Sequence, residues 1–233
     1  MRDRMDVRFI LLSHEQVSHC MELIRGKKLS EMSPVEFLEL RERFQRIWLD
    51  IGTGDGLFVY RSARENSDVL CIGLEPAWKN CAETSSRALK KESKGGAANA
   101  LFVRGAIEKP PLELSGLAER VFVNYPWGSL LSGMAKPDAS VLANLRGLCA
   151  AQAEVLVSLN YSVFLDKTLR DSLGLSELDE ERAENVLRPA YKEAGLELVE
   201  VAVFDGMADV STSWGKHLVA GSARSTFFMK FTN

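Results

Sequence analysis

The sequence predicts an α/β fold built on a seven-stranded, mostly parallel sheet whose last strand is antiparallel. From Arg46 onward, short apolar runs alternate with helical patterns, which is typical of parallel strands joined by right-handed crossovers. The last two strand patterns, residues 196–204 and 225–232, have no helical pattern between them, which indicates an antiparallel pair. We therefore expect a sheet that is parallel except at its end.

A hairpin and a helix are predicted ahead of this alternation, as an N-terminal extension of the sheet region. Residues 21–29 fit a small hairpin that turns near Gly26. A helix is expected from Ser33-Pro34 to about Arg43, because serine is a favoured N-cap and proline is favoured at the first helical position. Glu36, three residues after the cap, strengthens this start.

The sheet region divides into regularly spaced elements. Strand patterns before the final pair fall at residues 46–51, 69–75, 99–104, 119–124 and 153–159. Helical patterns fall at about 57–66, 77–92, 138–150 and 180–194. Two segments, roughly 160–179 and 205–222, exceed ordinary connections, and such insertions often carry specificity. We expect residues 21–233 to form one domain with these insertions, and residues 1–20 to lie outside it.

The composition suits one domain with a substantial core, because 46% of the 233 residues are hydrophobic and 26% are charged. The formal net charge of −3 does not predict nucleic-acid binding by the chain as a whole. Four cations nevertheless cluster against the single acid Glu92, and no acid follows Asp209. These four cations are Arg87, Lys90, Lys91 and Lys94; Lys216, Arg224 and Lys230 follow Asp209.

Cysteine and histidine usage argues against a metal site. The four cysteines contain no CxxC pair, and the three histidines lack metal-ligand spacing, so we expect free thiols and no metal. No apolar run has the length of a membrane span, and the N-terminus lacks a signal-peptide pattern. We therefore expect a cytoplasmic monomer that does not associate with membranes.

The most informative stretch joins the first sheet strand to its helix. Asp50 ends the apolar run, and Gly52, Gly54 and Gly56 follow at alternate positions. Glycines allow a sharp turn and a close approach of a ligand, and the helix that follows presents free N–H groups. This arrangement predicts the first strand-to-helix turn of a nucleotide-type site.

Acids in and after this turn indicate which nucleotide binds. A pyrophosphate would be repelled by Asp50 and Asp55, whereas S-adenosylmethionine (SAM) carries an ammonium and a sulfonium group. Glu75 ends the second strand pattern, where an acid can accept hydrogen bonds from two ribose hydroxyls. We expect these acids, with Gly52 and Gly54, to bind SAM, which leaves as S-adenosylhomocysteine.

The third strand leads into Arg104-Gly-Ala-Ile-Glu108, which suits the adenine end of SAM. Ile107 would pack on the adenine or bind it through its backbone, and Glu108 would lie nearby. The alternative is an ordinary loop that leaves the strand.

Asn124-Tyr-Pro-Trp-Gly128 follows the fourth strand and would bring an aromatic ring beside the methyl group. Trp127 could stack on a target base, because every base has a π-face, although core packing is the alternative. The stretch is similar to the Asn/Asp-Pro-Pro-aromatic motif of amino methyltransferases, with Tyr125 in place of the first proline.

A second tryptophan candidate lies in the second insertion. Trp214, between Ser213 and Gly215, is poor core material, and we interpret it as the second plate of an aromatic clamp. Trp48 lies in a strand and is interpreted as core, whereas Trp78 could serve either purpose.

The basic cluster is a candidate contact for RNA phosphate: Arg87, Lys90, Lys91 and Lys94. We expect it near the carboxyl-terminal edge of the sheet, beside Lys216 and Arg224. A solvated helix end, favoured by the helix dipole, is the alternative.

Together these motifs resemble the 16S rRNA (adenine-1408-N1)-methyltransferases of the kanamycin–apramycin resistance type. The resemblance runs from about Met21 to the end. Its carriers are Asp50-Ile-Gly-Thr-Gly-Asp-Gly56, Gly73-Leu-Glu-Pro76, Ser93-Lys-Gly-Gly96, Phe102-Val103 with Glu108, Tyr125-Pro-Trp-Gly128, Ser213-Trp214 and Arg224-Ser-Thr-Phe-Phe228.

The resemblance implies a Rossmann-like class I SAM-dependent methyltransferase that acts on the 30S subunit and confers aminoglycoside resistance. It implies that SAM contacts Asp50, Gly52, Glu75, Ile107, Glu108, Ser129 and Thr212. Trp127 and Trp214 would enclose the flipped adenine, and Lys90, Lys91, Lys94 and Arg224 would bind the rRNA backbone. The chain departs from the family at Glu75, where an aspartate is familiar, and at His217 and Ser222, where arginines are expected.

The implied reaction needs no general base, because adenine N1 already carries a lone pair. The work of the protein is to extrude the base, stack it and align N1 with the methyl group. Two alternatives stay open from the residues alone: an N6-adenine or tRNA base methyltransferase on the same sheet, and a non-enzymatic SAM-binding or RNA-binding module. An N6 enzyme needs an acceptor for the amino group, and Asn124 could supply one.

Overall fold

Residues 20–206 and 225–233 are described by the structure, a computed structural model, and one nine-stranded sheet runs through them. In chain order its strands are β1 (Met21–Arg25), β2 (Lys28–Met32), β3 (Arg46–Ile51), β4 (Val69–Leu74), β5 (Ala100–Val103), β6 (Ala118–Asn124), β7 (Cys149–Asn160), β8 (Glu197–Asp205) and β9 (Ser225–Thr232). Across the sheet the order is β2-β1-β5-β4-β3-β6-β7-β9-β8.

The five central strands are parallel, and the far end of the sheet is antiparallel. β5, β4, β3, β6 and β7 run in one direction, and β9 lies antiparallel between β7 and β8. The predicted parallel sheet with an antiparallel end is therefore confirmed. After β3 the chain builds first toward β5 and then toward β7, so the order reverses at β3, where ligand crevices form in such folds.

The hairpin is part of this sheet, and it adds two strands to the seven that were predicted. Leu23 of β1 pairs antiparallel with Val103 of β5, and the Arg104 N–H donates to the Glu22 carbonyl over 2.8 Å. The hairpin thus covers the edge of β5, which would otherwise leave its backbone groups without strand partners.

Nine α-helical segments occur within the described ranges: α1 (Pro34–Arg41), α2 (Leu57–Glu65), α3 (Ala82–Ala88), α4 (Gly128–Ala135), α5 (Ala139–Leu148), α6 (Ser162–Leu165), α7 (Lys167–Ser172), α8 (Glu180–Arg182) and α9 (Arg188–Glu193). The predicted start of α1 is confirmed. The Ser33 side chain accepts from the Glu36 N–H, and the Glu36 carboxylate accepts from the Ser33 N–H.

The helix predicted over residues 77–92 is broken. A 3₁₀ turn over Trp78–Cys81 precedes α3, and a second one covers Glu92–Lys94. The chain folds back tightly after α3, because a Cβ at Gly96 would lie 1.7 Å from the Lys90 carbonyl oxygen. The Ala97 N–H donates to the Ala88 carbonyl there.

Three other elements differ from the predicted set. α4 was not predicted, because it begins at Gly128, directly after the Pro126-Trp127 turn that follows β6. The first insertion contains α6 and α7. The helix predicted over 180–194 includes a π-helical turn, Ala183–Leu187, between α8 and α9.

Apolar side chains form a core on each face of the sheet. The larger core lies under α4, α5 and α9 and includes Leu49, Val123 and Leu142. The smaller core lies under α2 and α3 and includes Val59 and Phe102. All four cysteines are free, and three of them are buried: Cys71, Cys81 and Cys149. Among the described residues, no helix is long and apolar enough to cross a membrane.

Candidate functional site

A cleft opens at the carboxyl ends of β3, β4, β5 and β6, around the point where the strand order reverses. Its walls are the glycine turn after β3, the residues after β4, the loop after β5 and the tip of β6 with the start of α4. Eight residues that the sequence predicted for cofactor or target line this one cleft: Asp50, Gly52, Gly54, Glu75, Ile107, Glu108, Trp127 and Ser129.

The turn after β3 depends on its glycines for geometric reasons. Gly52 has a φ of 68° and Gly56 a φ of 74°, in the left-handed region that other residues rarely adopt. A Cβ at Gly52 would lie 2.7 Å from Cδ2 of Leu130, and one at Gly56 would lie 2.4 Å from Cε1 of Phe102. Side chains at these positions would therefore collide with both walls of the turn.

Asp50 is a buried acid with one open hydrogen-bonding position. Its side chain is only 2% exposed, and its Oδ1 accepts from Nδ2 of Asn124 over 2.9 Å. Its Oδ2 has no hydrogen-bond partner within 20–206 and 225–233. Burial raises the pKa of this carboxyl to about 7; the neighbouring Thr53 hydroxyl and the Asn124 amide oppose the rise, and Glu75 and Asp55 add to it.

Asn124 therefore serves the acid of the site. It is 8% exposed at the end of β6 and lines the cleft beside Asp50. An amide that donates to the carboxylate fixes its rotamer and leaves its second oxygen directed elsewhere. From sequence, Asn124 was expected only as an acceptor for a target amino group, and its pairing with Asp50 was not predicted.

Glu75 holds the glycine turn against the end of β4. Its Oε2 accepts from the Gly54 N–H over 2.9 Å, and its Oε1 accepts from the Ala77 N–H over 3.0 Å. Burial raises the pKa of Glu75, and these two backbone N–H groups lower it. Each carboxylate oxygen retains a second lone pair, so the side chain can still accept from ribose hydroxyls.

The side chain of Asp55, which was expected in the cofactor site, binds the start of the helix that follows the turn. Its Oδ1 accepts from the Leu57 N–H over 3.0 Å, at the first turn of α2, and Asp55 is absent from the residues that line the cleft. The carboxylate therefore satisfies a free N–H at a helix start, which is a common structural role for aspartate. The lining of the cleft therefore gives no support to its predicted cofactor contact, which stays a prediction.

The loop after β5 is anchored from α5. Nδ2 of Asn144 donates to the carbonyls of Ile107 and Glu108, over 2.9 and 3.2 Å. Ile107 is 2% exposed, so its side chain forms an apolar floor, whereas Glu108 is exposed at the rim. Ser129 is exposed in the first turn of α4.

Trp127 projects at the cleft rim, which excludes the alternative of core packing. Its side chain is 51% exposed, and it forms the N-cap position of α4. The other two described tryptophans differ, because Trp48 and Trp78 both pack against the smaller core. Trp48 also lies under two guanidinium groups, those of Arg46 at 5.7 Å and Arg120 at 5.3 Å.

The basic cluster is exposed, but its expected position near the carboxyl-terminal edge is wrong. Its loop returns to the amino ends of the strands, where the Asn99 amide donates to the Val69 carbonyl at the start of β4. The cleft lies at the opposite ends of these strands. All four residues are exposed: Arg87, Lys90, Lys91 and Lys94. The Arg87 guanidinium lies over the Tyr60 ring, 5.6 Å from its centroid.

The remaining predicted positions lie outside the described residues: Thr212, Trp214, Lys216, His217, Ser222 and Arg224. Within the described part of the chain, no group of three or more His, Cys, Asp and Glu side chains could hold a metal ion. The lining also includes polar side chains that were not predicted for the cofactor, among them Thr53, Asn80 and Asn124. Their positions after strand patterns were the only signal that could have identified them.

Comparison with known proteins assigns a family to this arrangement. The sequence profile described as "16S rRNA (adenine(1408)-N(1))-methyltransferase" matches residues 22–232. A curated Escherichia coli relative with the same description is 30% identical over 213 residues, which cover 89% of this chain and 96% of the relative.

Solved structures agree with the sequence matches. The crystal structure of a variant 16S rRNA (adenine(1408)-N(1))-methyltransferase from Catenulisporales acidiphilia with cosubstrate SAM is 31% identical, with a TM-score of 0.84. That match covers 91% of this chain and 96% of the other. The aminoglycoside resistance methyltransferase NpmB1 is 35% identical, with a TM-score of 0.78 over 91% of this chain and 98% of its own.

Proposed function

Because this chain belongs to the 16S rRNA (adenine(1408)-N(1))-methyltransferase family, we propose that it methylates N1 of adenine 1408 in the 30S subunit and thereby confers aminoglycoside resistance. The methyl donor is SAM. One observation supports the proposal most directly. Trp127 is exposed at the rim of a cleft that is also lined by Asp50, a buried acid whose Oδ2 has no hydrogen-bond partner among the described residues.

The residues of the cleft fit SAM. The free Oδ2 of Asp50 suits the ammonium group, because a buried acid without a second partner is costly unless a ligand completes it. The glycine turn leaves room for a ligand next to the backbone. Glu75 would accept from the ribose hydroxyls, and the buried Ile107 would pack against the adenine ring of SAM, with Glu108 and Ser129 at its edge.

The bound cofactor supplies a methyl group activated by the sulfonium. The protein presents the target base to this methyl group. Trp127 would stack on the flipped adenine, and the in-line alignment of N1 would supply most of the rate enhancement. No side chain has to remove a proton, since adenine N1 attacks with its own lone pair. We propose Trp214 as the second plate of this clamp and Thr212 as a further cofactor contact.

Asn124 bears on the cofactor as well as on the N6 alternative. Its Nδ2 donates to Asp50, whereas its carbonyl oxygen keeps its capacity to accept from an adenine amino group, so the primer-extension product and not this pairing distinguishes N1 from N6 methylation. We therefore expect Asn124→Ala to weaken SAM binding, rather than to leave activity largely intact, as the chemistry of N1 attack alone would suggest.

The deciding experiment combines purified 30S subunits, the protein and labelled SAM, followed by primer extension through the decoding site. Methylation of N1 blocks the Watson–Crick edge, so reverse transcriptase should stop one nucleotide before adenine 1408, and expressing cells should resist kanamycin and apramycin together. Read-through with label incorporated would indicate an N6 product. A stop elsewhere, or transfer to tRNA alone, would refute the proposed target.

We also propose that the chain acts as a monomer in the cytoplasm, where 30S subunits occur, and that residues 21–233 suffice for activity. The profile match, which begins at residue 22, supports the second point. We propose that the rRNA backbone contacts Arg87, Lys90, Lys91, Lys94, Lys216 and Arg224. The exposure of the first four supports this role, because an RNA footprint needs accessible cations.

Charge reversal in this cluster should weaken binding to 30S. Lys90→Glu, Lys91→Glu and Lys94→Glu should each lower the affinity and reduce the slope of log K against log salt by about one for each lost phosphate contact. SAM affinity should not change, because the cluster lies away from the cleft. Filter binding over a salt series, with calorimetry for SAM, measures both quantities.

Lys192→Glu is the matched control, since Lys192 is an exposed lysine of α9 outside the cluster. A salt slope that drops equally in the control would mean that only net charge matters. Unchanged 30S affinity in all three cluster variants would show that these lysines are solvated surface residues that do not contact the rRNA.

A further inference from the structure

Tyr125 adopts a backbone conformation that its residue type rarely tolerates. Its φ is 47°, in the left-handed region, and it is buried to 8% exposure directly before Pro126 and Trp127. Such a conformation persists only where the surroundings hold it, and it often marks a functional position. Tyr125 determines the direction in which the chain leaves β6 and therefore where Trp127 stands.

Hydrogen bonds to two different strands help to hold Tyr125 in place. Its N–H donates to the Ser158 carbonyl of β7 over 2.7 Å, and its hydroxyl lies 2.9 Å from Oγ1 of Thr226 in β9. Oγ1 of Thr226 donates in turn to the Gly206 carbonyl over 2.7 Å. Threonine has one hydroxyl hydrogen, which goes to Gly206, so the Tyr125 hydroxyl must be the donor to Thr226.

This directed relay, Tyr125 to Thr226 to Gly206, joins three strand ends. Gly206 directly follows β8, and Thr226 is the second residue of β9. The relay therefore ties the tip that carries Trp127 to both strands that flank residues 207–224. Thr226 is 1% exposed, so water cannot readily replace a lost partner within the relay.

We propose that the Tyr125 hydroxyl is a positioning group for methyl transfer, which holds Trp127 in register with the ends of β8 and β9. This inference rests on the proposed function, because it assigns Trp127 to the target base. Phenylalanine at this position would keep the ring of Tyr125 and remove only the hydroxyl. The hydroxyl has another purpose: it keeps the strained tip locked to the β8–β9 pair.

The test compares Tyr125→Phe, Thr226→Val and the double variant in single-turnover methylation of 30S at saturating SAM. Each single variant should lose about five- to tenfold in rate, the scale of one buried hydrogen bond, with SAM affinity unchanged. The double variant should be little worse than either, because both break the same relay. Thr226→Ser retains the hydroxyl and should restore most of the rate.

Tyr191→Phe is the matched control. Tyr191 is a second buried tyrosine, and its hydroxyl donates to the Met134 carbonyl over 3.1 Å, away from the relay. Its loss should lower thermal stability without lowering the methylation rate. If Tyr125→Phe and Thr226→Val methylate at the parental rate, or if the control slows equally, the hydroxyl has no positioning role.

A second measurement separates this proposal from the proposed function. Amide hydrogen exchange over residues 124–131 should accelerate in Tyr125→Phe and Thr226→Val but not in Tyr191→Phe, with no substrate present. A parental protein that fails to methylate 30S would refute the proposed function, whatever the exchange result. If the parental enzyme methylates 30S but amide exchange is unchanged in Tyr125→Phe and Thr226→Val, only the positioning role of the relay is refuted.

Discussion

Trp127→Ala should remove most methylation of 30S subunits while SAM binding stays at the parental level. The side chain is 51% exposed at the cleft rim, and its loss leaves no ring there on which the target base can stack. Stacking on an aromatic side chain contributes about 1–3 kcal/mol per base, so the rate should fall by roughly 5- to 150-fold. Single-turnover methylation with calorimetry for SAM measures both quantities.

Conservative and distant replacements complete this test. Trp127→Phe retains a π-face and should keep more activity than Trp127→Ala. Trp48 packs against the smaller core, so Trp48→Phe should change thermal stability more than the methylation rate. Because Trp127 is largely exposed, its removal should leave the melting temperature nearly unchanged. A Trp127→Ala protein that methylates normally would show that the rim tryptophan does not hold the base.

Asp50→Asn should weaken SAM binding by roughly 30-fold or more. The substitution preserves shape but removes the negative charge that faces the cofactor ammonium. Losing one partner of a buried charged pair costs about 2–5 kcal/mol, which corresponds to a loss of affinity of roughly 30-fold or more. The protein should remain folded, because burying the neutral amide costs less than burying the carboxylate.

The pH dependence of SAM affinity provides an independent check of the same acid. Burial raises the pKa of Asp50 to about 7 in the ligand-free protein, so the carboxyl loses its charge as the pH falls below that value. SAM affinity should therefore weaken from pH 8 to pH 6, and binding near pH 7 should release a proton. Calorimetry in buffers of different ionisation enthalpy detects that proton, and Asp50→Asn should not release it.

The raised pKa of Asp50 also makes folding stability depend on pH, and stability should fall over the pH range in which SAM affinity rises. A carboxyl whose pKa is higher in the folded than in the unfolded protein contributes stability below about pH 4 and loses that contribution as the pH rises toward 7. The parental protein should thus lose stability relative to Asp50→Asn across this range. Thermal melts at several pH values measure the difference.

Asp55→Ala is the matched control for the loss of an acid from the same turn. Its carboxylate accepts from the Leu57 N–H at the start of α2, so its removal should cost about 0.5–2 kcal/mol of stability. SAM affinity should change little. If Asp55→Ala lost SAM as completely as Asp50→Asn, the assignment of separate roles to the two acids would be wrong.

Much of this architecture was predictable because local patterns carry it. Apolar runs that alternate with helical patterns predicted a parallel sheet. The last two strand patterns, which have no helix between them, predicted an antiparallel end. The capping residues Ser33 and Glu36 marked the start of α1. The break after α3 was not predictable, because it depends on the close approach of Gly96 to the Lys90 carbonyl, which only the folded chain creates.

The glycine turn, the acids Asp50 and Glu75 and the candidate Trp127 were predictable from residue order, because each follows a strand pattern and such strand ends meet at one edge of a sheet. Which neighbour each side chain binds depends on the folded arrangement. It turned Asp55 to a helix start, paired Asn124 with Asp50, and joined Tyr125 to Thr226 across 101 positions of sequence. The physical reason is that a short polar side chain bonds the nearest unsatisfied group in space, and sequence spacing does not encode that distance.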